Sequence, residues 1–329
     1  MNIFKLASRR KFLKGSAAAL SGGAAVAGGL AGKARAQVEP APETLGEIQP
    51  TQGQASGPGT LGGGEIETGE IICPGGMPAF FARPAGSERK PAIVLMHERY
   101  GLVAHPRDLA RRCAQEGFFA LAPNFFFRHP DQDALNAGDS RYPMSDPEAI
   151  ELLGAAFSGL RTLDGADLEH TAIGGYCQTG RHPLVYAAEH PVSAVVVWYG
   201  AAAKREWEIN ETQPEALDDI IARLPCPLFG AFGSLDHIIS VEDVQFFRDA
   251  LERHHKSYEI HIYGGAPHGW LNNTMPGRYR EAQAEAGWAA QQRFLESVFA
   301  GEWPRTSALW RFESEVPEDY DFSTNVRME

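Results

Sequence analysis

Thr171-Ala172-Ile173-Gly174-Gly175-Tyr176-Cys177-Gln178-Thr179-Gly180 is the stretch on which the reading of this chain turns. Its first six residues make a short apolar run, the mark of a buried strand. Cys177 follows at once, between Gly175 and Gly180, and helical spacing resumes behind it. A sharp turn there lifts the Cys177 side chain off the sheet, and small neighbours avoid clashes. The helix that starts at the turn offers its positive dipole end to a thiolate. The N–H of Gln178 is placed to face a developing oxyanion. The second glycine stands one residue later than in a G-x-S-x-G turn, with Thr179 between. On these residues alone, a small buried cysteine at a strand end is an equal alternative.

Upstream and downstream, strands and helices alternate. Apolar runs at Ala92–His97, Phe118–Ala122, Val192–Tyr199, Pro227–Phe232 and Tyr258–Tyr263 predict strands. Helical spacing covers His105–Gln115, Pro147–Leu163, Pro214–Arg223, Val241–His254 and Arg278–Phe299, while Asn124–Ser145 reads as irregular. Glu65–Cys73 and Pro78–Arg83 read as an antiparallel pair around Pro74-Gly75-Gly76. Such alternation predicts an α/β fold, a mostly parallel central sheet with helices on both faces. Chemistry then belongs to loops leaving the carboxyl ends of strands.

Two more of those loops carry reactive residues. Gly233-Ser234-Leu235-Asp236-His237 follows one late strand, and Gly265-Ala266-Pro267-His268-Gly269-Trp270 follows the next, so the three reactive loops are read as following three successive late strands of one sheet. An acid can orient a histidine, and a histidine between Pro and Gly at a strand end suits core packing poorly. The order nucleophile, acid, histidine is that of α/β-hydrolases. A fourth loop, Met96-His97-Glu98-Arg99-Tyr100-Gly101-Leu102, brings Glu98 to the same sheet edge as Cys177. Phe125, Phe126, Phe127, Trp198, Tyr199 and Trp270 lie near these ends, as pocket wall or as plain core.

Taken together, Gly-x-Cys, Gly-x-x-Asp, His-Gly-Trp and His-Glu-x-x-Gly-Leu in this order resemble the dienelactone hydrolase family (carboxymethylenebutenolidases), across roughly residues 75–300. Leu121-Ala122-Pro123-Asn124-Phe125 and Asn272-Asn273-Thr274 through Pro276-Gly277-Arg278-Tyr279 add to the likeness. The resemblance implies an α/β-hydrolase fold and hydrolysis of an ester or enol-lactone without cofactor or metal. It implies Cys177 as nucleophile, His268 as base and acid, Asp236 as orienter, and Glu98 as the glutamate that pairs with the resting thiol. It also implies an oxyanion hole from the N–H groups of Gln178 and Arg99, and a substrate carboxylate held by Arg128. Trp270 and Arg278 complete the expected substrate contacts. The chain departs from the family pattern at Thr179 and Arg181, at Arg99, and at Asn272, which stands where a second arginine is expected.

Charge and composition set the wider frame. The chain has 329 residues, 43% hydrophobic and 22% charged, with net charge −12. Residues 1–36 hold seven Lys/Arg and no Asp/Glu, which leaves 23 basic against 42 acidic residues, net −19, in the remainder. A body so acidic is a poor nucleic-acid binder. Ser8-Arg9-Arg10-Lys11-Phe12-Leu13-Lys14, the small-residue apolar stretch Gly15–Gly32 and Ala34-Arg35-Ala36 predict a twin-arginine export signal over 1–36. The partner that implies is the Tat export machinery, and the expected location is periplasmic or secreted. Residues 37–64 read as a flexible linker, 65–303 as the hydrolase domain, and 304–329 as an acidic C-terminal extension. The four cysteines lack metal spacing; a disulfide among Cys73, Cys113 and Cys226 stays open, with Cys113 read as a buried helix residue. Oligomeric state is not legible. A general carboxylesterase or thioesterase, or an exported binding protein that kept the fold, are the competing readings.

Overall fold

The structure, a computed structural model, describes residues 64–304 and 306–316. The predicted export signal, the linker up to residue 63 and residues 317–329 of the predicted extension lie outside the described residues.

Among the described residues the sheet has nine strands. They are β1 (Ile66–Cys73), β2 (Met77–Pro84), β3 (Lys90–Leu95), β4 (Phe119–Pro123), β5 (Ala166–Tyr176), β6 (Ala194–Trp198), β7 (Leu228–Gly233), β8 (Tyr258–Tyr263) and β9 (Trp310–Ser314). The order across the sheet is β1-β2-β4-β3-β5-β6-β7-β8-β9. β2 pairs antiparallel with β1 and β4, and every pairing from β4 onward is parallel. The helices are α1 (Ala104–Gln115), α2 (Gln132–Ala137), α3 (Asp146–Leu160), α4 (His182–Ala187), α5 (Leu217–Arg223), α6 (Val241–Arg253) and α7 (Glu281–Phe299).

The central strands are apolar throughout because both of their faces are covered. Along β6, Ala194, Val196 and Trp198 join the core under α1 and α7, with Leu109, Cys113 and Phe294. Val195 and Val197 point the other way, toward Leu184 of α4, Ile221 of α5 and Phe247 of α6. Ala92 and Val94 of β3 meet Leu153 of α3 on that second face. The predicted mostly parallel sheet with helices on both faces is therefore the observed architecture.

Three details differ from the sequence reading. β9, in the stretch read as an extension, pairs parallel with β8 from Tyr258↔Trp310 to Ile262↔Ser314. Its mostly exposed residues carry little of the apolar alternation that marks a strand, and ion pairs help to hold it, including Arg311 to Glu259 at 3.0 Å. α2 lies inside the stretch read as irregular; at six residues it is too short to show a helical period, and Asp131 caps it by accepting from the Ala134 N–H. Finally, β6 intervenes between the strands that precede Cys177 and Asp236, so the three reactive loops follow β5, β7 and β8.

Candidate active site

The site is assembled at the carboxyl ends of β3, β5, β7 and β8. At the end of β5, Cys177 has φ 54°, a left-handed conformation rare for a residue with a Cβ. The surroundings enforce it. A Cβ on Gly175 would stand 2.7 Å from the Thr179 carbonyl oxygen, and one on Gly180 would stand 2.5 Å from the Cα of Gly200. The turn thus closes on itself and packs backbone to backbone against the loop leaving β6.

Thr179, a departure from the family pattern, is fully buried, and its hydroxyl ties two loops together. It accepts from the Tyr176 N–H at 3.1 Å and donates to the His97 carbonyl at 2.9 Å. Arg181, the next departure, is also buried. Its guanidinium grips Asp146 of α3 at 2.9–3.1 Å and donates to the carbonyls of Glu206 and Glu215 at 2.6 Å each. Both residues serve the frame that carries the turn.

At the end of β7, Asp236 is buried, and one carboxylate oxygen accepts from the N–H groups of Ile238 (2.7 Å) and Ile239 (3.0 Å). Its other oxygen lies 2.8 Å from Nδ1 of His268, on the loop after β8. Nε2 of the same imidazole lies 3.0 Å from Cys177 Sγ. The ring is buried and packs edge-on against Tyr199 at 5.3 Å between centroids. Burial works to lower the His268 pKa; the charge of Cys177 and then that of Asp236 outweigh it, and the pKa is pushed up to about 10. Each ring nitrogen thus has a partner, Asp236 on one side and Cys177 on the other.

At the end of β3, His97 sets the backbone of the fourth loop. Its Nε2 accepts from the Phe125 N–H at 3.0 Å, so its Nδ1 donates to the Glu98 carbonyl at 2.8 Å. Burial lowers the His97 pKa to about 4, which keeps that tautomer neutral. The Glu98 side chain is buried, but the thiol faces His268. Glu98 instead accepts from Asn272 Nδ2 at 2.6 Å. The resting Glu98–Cys177 pairing implied by resemblance is not the arrangement observed.

The remaining expected site residues divide. The Gln178 and Arg99 side chains both reach the loop between α2 and α3: Gln178 Nε2 donates to the Tyr142 carbonyl at 2.6 Å, and Arg99 donates to the Gly138 carbonyl. Arg278 is exposed beside the site; a Cβ on Gly269 would have Arg278 Cδ at 3.7 Å and Glu98 Oε1 at 3.8 Å. No carboxylate among the described residues lies within ion-pair distance of Arg278. Arg128, expected to hold a substrate carboxylate, is instead engaged by Glu148 (3.1 Å) and Glu151 (2.7 Å) of α3. Trp270, expected to touch substrate, is 0% exposed and packs against Tyr263 (4.9 Å) and Trp198 (5.0 Å). Phe125, Phe126, Trp198 and Tyr199 are buried in the same way. A fully covered indole cannot also wall an open pocket, so these aromatics belong to the core.

Sequence reasoning quoted His237 only as part of its loop and assigned it no role; its ring lies 5.8 Å from that of His268. Tyr199 has φ 37° at the end of β6. The strand-end rule that found Cys177 applies to it equally. Two surface grooves lie elsewhere, one around Arg107 and Ile72 and one between Glu116 and Gln292. The candidate site is placed at the hydrogen-bonded constellation and not in those grooves, because among the described residues it brings a cysteine, a histidine and an aspartate together.

A strained strand-to-helix turn bearing a cysteine, with histidine and acid on later strand ends of a mostly parallel sheet, is the arrangement of the α/β-hydrolase fold. Residues 77–299 match the model of the dienelactone hydrolase family, and the chain belongs to that family. It is 34% identical over 229 residues to a candidate carboxymethylenebutenolidase of Salmonella typhimurium, covering 67% of this chain and 81% of that one. A candidate 2-oxo-3-(5-oxofuran-2-ylidene)propanoate lactonase of Bradyrhizobium is 26% identical, covering 64% and 85%. Among solved structures, a candidate dienelactone hydrolase from Klebsiella pneumoniae superposes with a TM-score of 0.63 at 30% identity, covering 70% of this chain and 99% of that chain.

Proposed function

We propose that the protein hydrolyses an ester or enol-lactone through a thioester on Cys177. The observation that carries this reading is the placement of His268 between Asp236 Oδ2 at 2.8 Å and Cys177 Sγ at 3.0 Å. His268 takes the thiol proton, and the thiolate sulfur bonds to the carbonyl carbon. The carbonyl oxygen becomes an oxyanion that the N–H groups of Gln178 and Arg99 receive. When the intermediate collapses, the carbon–oxygen bond to the leaving group breaks, and His268 returns the proton to that oxygen. Water then attacks the thioester with His268 as base. The acid is released and the thiol is regenerated. Asp236 holds the imidazole tautomer throughout. A thiolate suits good leaving groups such as enolates, which supports the lactone class.

The second reading, a general carboxylesterase or thioesterase, draws support from Arg128. With its guanidinium committed to Glu148 and Glu151, Arg278 is the cation left beside the site to attract an anionic substrate. We also infer export by the twin-arginine route with cleavage near Ala36, on the strength of the Arg9-Arg10 motif and Ala34-Arg35-Ala36.

The test compares wild type with Cys177→Ala on a dienelactone and on p-nitrophenyl acetate. Cleavage lost in the variant supports the thioester route, and the ratio of the two wild-type rates separates lactonase from esterase. Equal cleavage by both proteins would remove Cys177 as the nucleophile. Export is tested by N-terminal sequencing of the secreted protein and by Arg9→Lys with Arg10→Lys; unchanged export of that double variant would reject the route.

A further inference from the structure

Glu98 brings a second proton acceptor into the neighbourhood of the Cys177 thiol. The buried Tyr199 hydroxyl senses both: burial raises its pKa most, the charge of Glu98 next, and Cys177 also contributes. Yet the thiol has one proton, and an unrestrained carboxylate nearby would compete for it with the imidazole and disfavour the thiolate.

Asn272 answers this competition. It is 1% exposed, and its Nδ2 donates to Glu98 Oε2 at 2.6 Å, a short bond to a charged acceptor. Its amide cannot turn round without loss, because its Oδ1 already accepts from the Thr274 N–H (3.0 Å) and the Thr274 hydroxyl (2.6 Å). Its own N–H donates to the Gly269 carbonyl at 3.0 Å, so the clamp is built on the loop that carries His268. Other elements face the same carboxylate: Tyr176 from β5, Tyr199 from the end of β6, His105 from α1, with Tyr100 and Arg278 from loops. The Tyr199 hydroxyl also bonds to it, and Asn272 makes the short contact at 2.6 Å.

We infer that Asn272 is a positioning residue: its amide holds the Glu98 carboxylate off the thiol and makes the Cys177–His268 contact the resting arrangement. This rests on the reading of Cys177 as nucleophile. It assigns the chain a thiol poised before substrate arrives.

The test is the rate of Cys177 alkylation by iodoacetamide in the full protein between about pH 5 and 9. Asn272→Leu frees Glu98, and the acid limb of the profile moves up by about one pH unit, a roughly tenfold slower reaction on that limb. Asn272→Asp keeps an acceptor for Thr274 and turns the attraction to Glu98 into repulsion; its limb moves the same way, and it decides the matter if the leucine variant does not fold. Adding Glu98→Gln to Asn272→Leu removes the competing charge and returns the limb to its wild-type position, which a purely structural role for Asn272 would not produce. An unmoved limb in a folded Asn272→Asp protein, or a limb that Glu98→Gln does not restore, overturns the inference. Alkylation reads the thiol and not turnover. Ester cleavage that survives Cys177→Ala would therefore reject the nucleophile without touching this result.

Discussion

The Thr179 hydroxyl donates to the His97 carbonyl at 2.9 Å, and so fastens the turn that carries Cys177 to the loop that carries Glu98. Both groups are fully buried or nearly so, and the same hydroxyl receives the Tyr176 N–H. Thr179→Val keeps the shape and strands that N–H and that carbonyl without partners. Each such group costs about 1–3 kcal/mol. Thr179→Val is expected to lower stability by about 2 kcal/mol or more and to reduce kcat/KM, whereas Thr179→Ser stays near wild type. Urea titration together with ester hydrolysis checks this, and equal behaviour of the two variants would count against the strut.

Arg181 should be a stability residue rather than a substrate contact. Removing one partner of a buried ion pair is costly, about 3–5 kcal/mol, because the other charge is left uncompensated. Arg181→Met strands Asp146, and a drop in denaturation midpoint of that size is expected. Adding Asp146→Leu should recover a large part of it. A double variant no better than the single one would show that the guanidinium contacts to Glu206 and Glu215, and not the pair, carry the effect.

Thiol labelling should be selective. Burial raises the Cys73 pKa to about 11 and that of Cys226 to about 12, and holds Cys113 well above the usual thiol range. All four cysteines are free, and Cys177 alone is not buried. Brief treatment of native protein with iodoacetamide is expected to give one adduct, on Cys177 by peptide mass spectrometry. Comparable labelling of Cys73 or Cys226 would contradict the assigned burial.

Glu116 gives the fold a pH dependence of its own. It lies at the carboxyl end of α1, accepts from Trp288 Nε1 at 2.7 Å, and burial raises its pKa from 4.5 to about 7. A carboxyl raised on folding stabilises the native state most when protonated. The contribution is full below about pH 4.5 and is lost as pH rises through about 7, on the order of 3 kcal/mol. Glu116→Gln keeps the neutral form at every pH. It should flatten this slope and raise stability relative to wild type at alkaline pH, as read from urea midpoints on either side of the transition. Parallel slopes for the two proteins would refute it.

Much of this was legible in the residues because burial on two faces writes itself as apolar runs. β3, β5, β6, β7 and β8 all announce themselves in that way, and the strand-end rule leads directly to Cys177, Asp236 and His268. What stayed hidden depends on partners distant in sequence. Nothing local distinguishes Arg128, engaged by Glu148 and Glu151, from an arginine free to meet a substrate. Trp270 sits beside His268 in sequence, yet its side chain turns into the core, a choice made by Trp198 and Tyr263. β9 escaped because an exposed edge strand needs little apolar alternation.

The backbone contact between Gly180 and Gly200 has a consequence for anyone reshaping this enzyme. A Cβ on either would fall 2.5–2.7 Å from the other's Cα, so two positions twenty residues apart form a single constraint. Randomising one while sparing the other explores nothing, since every side chain at either position pushes the Cys177 turn away from the neighbouring loop. The freedom to change lies instead with residues such as Arg278, exposed beside the site and outside the Cys177 turn.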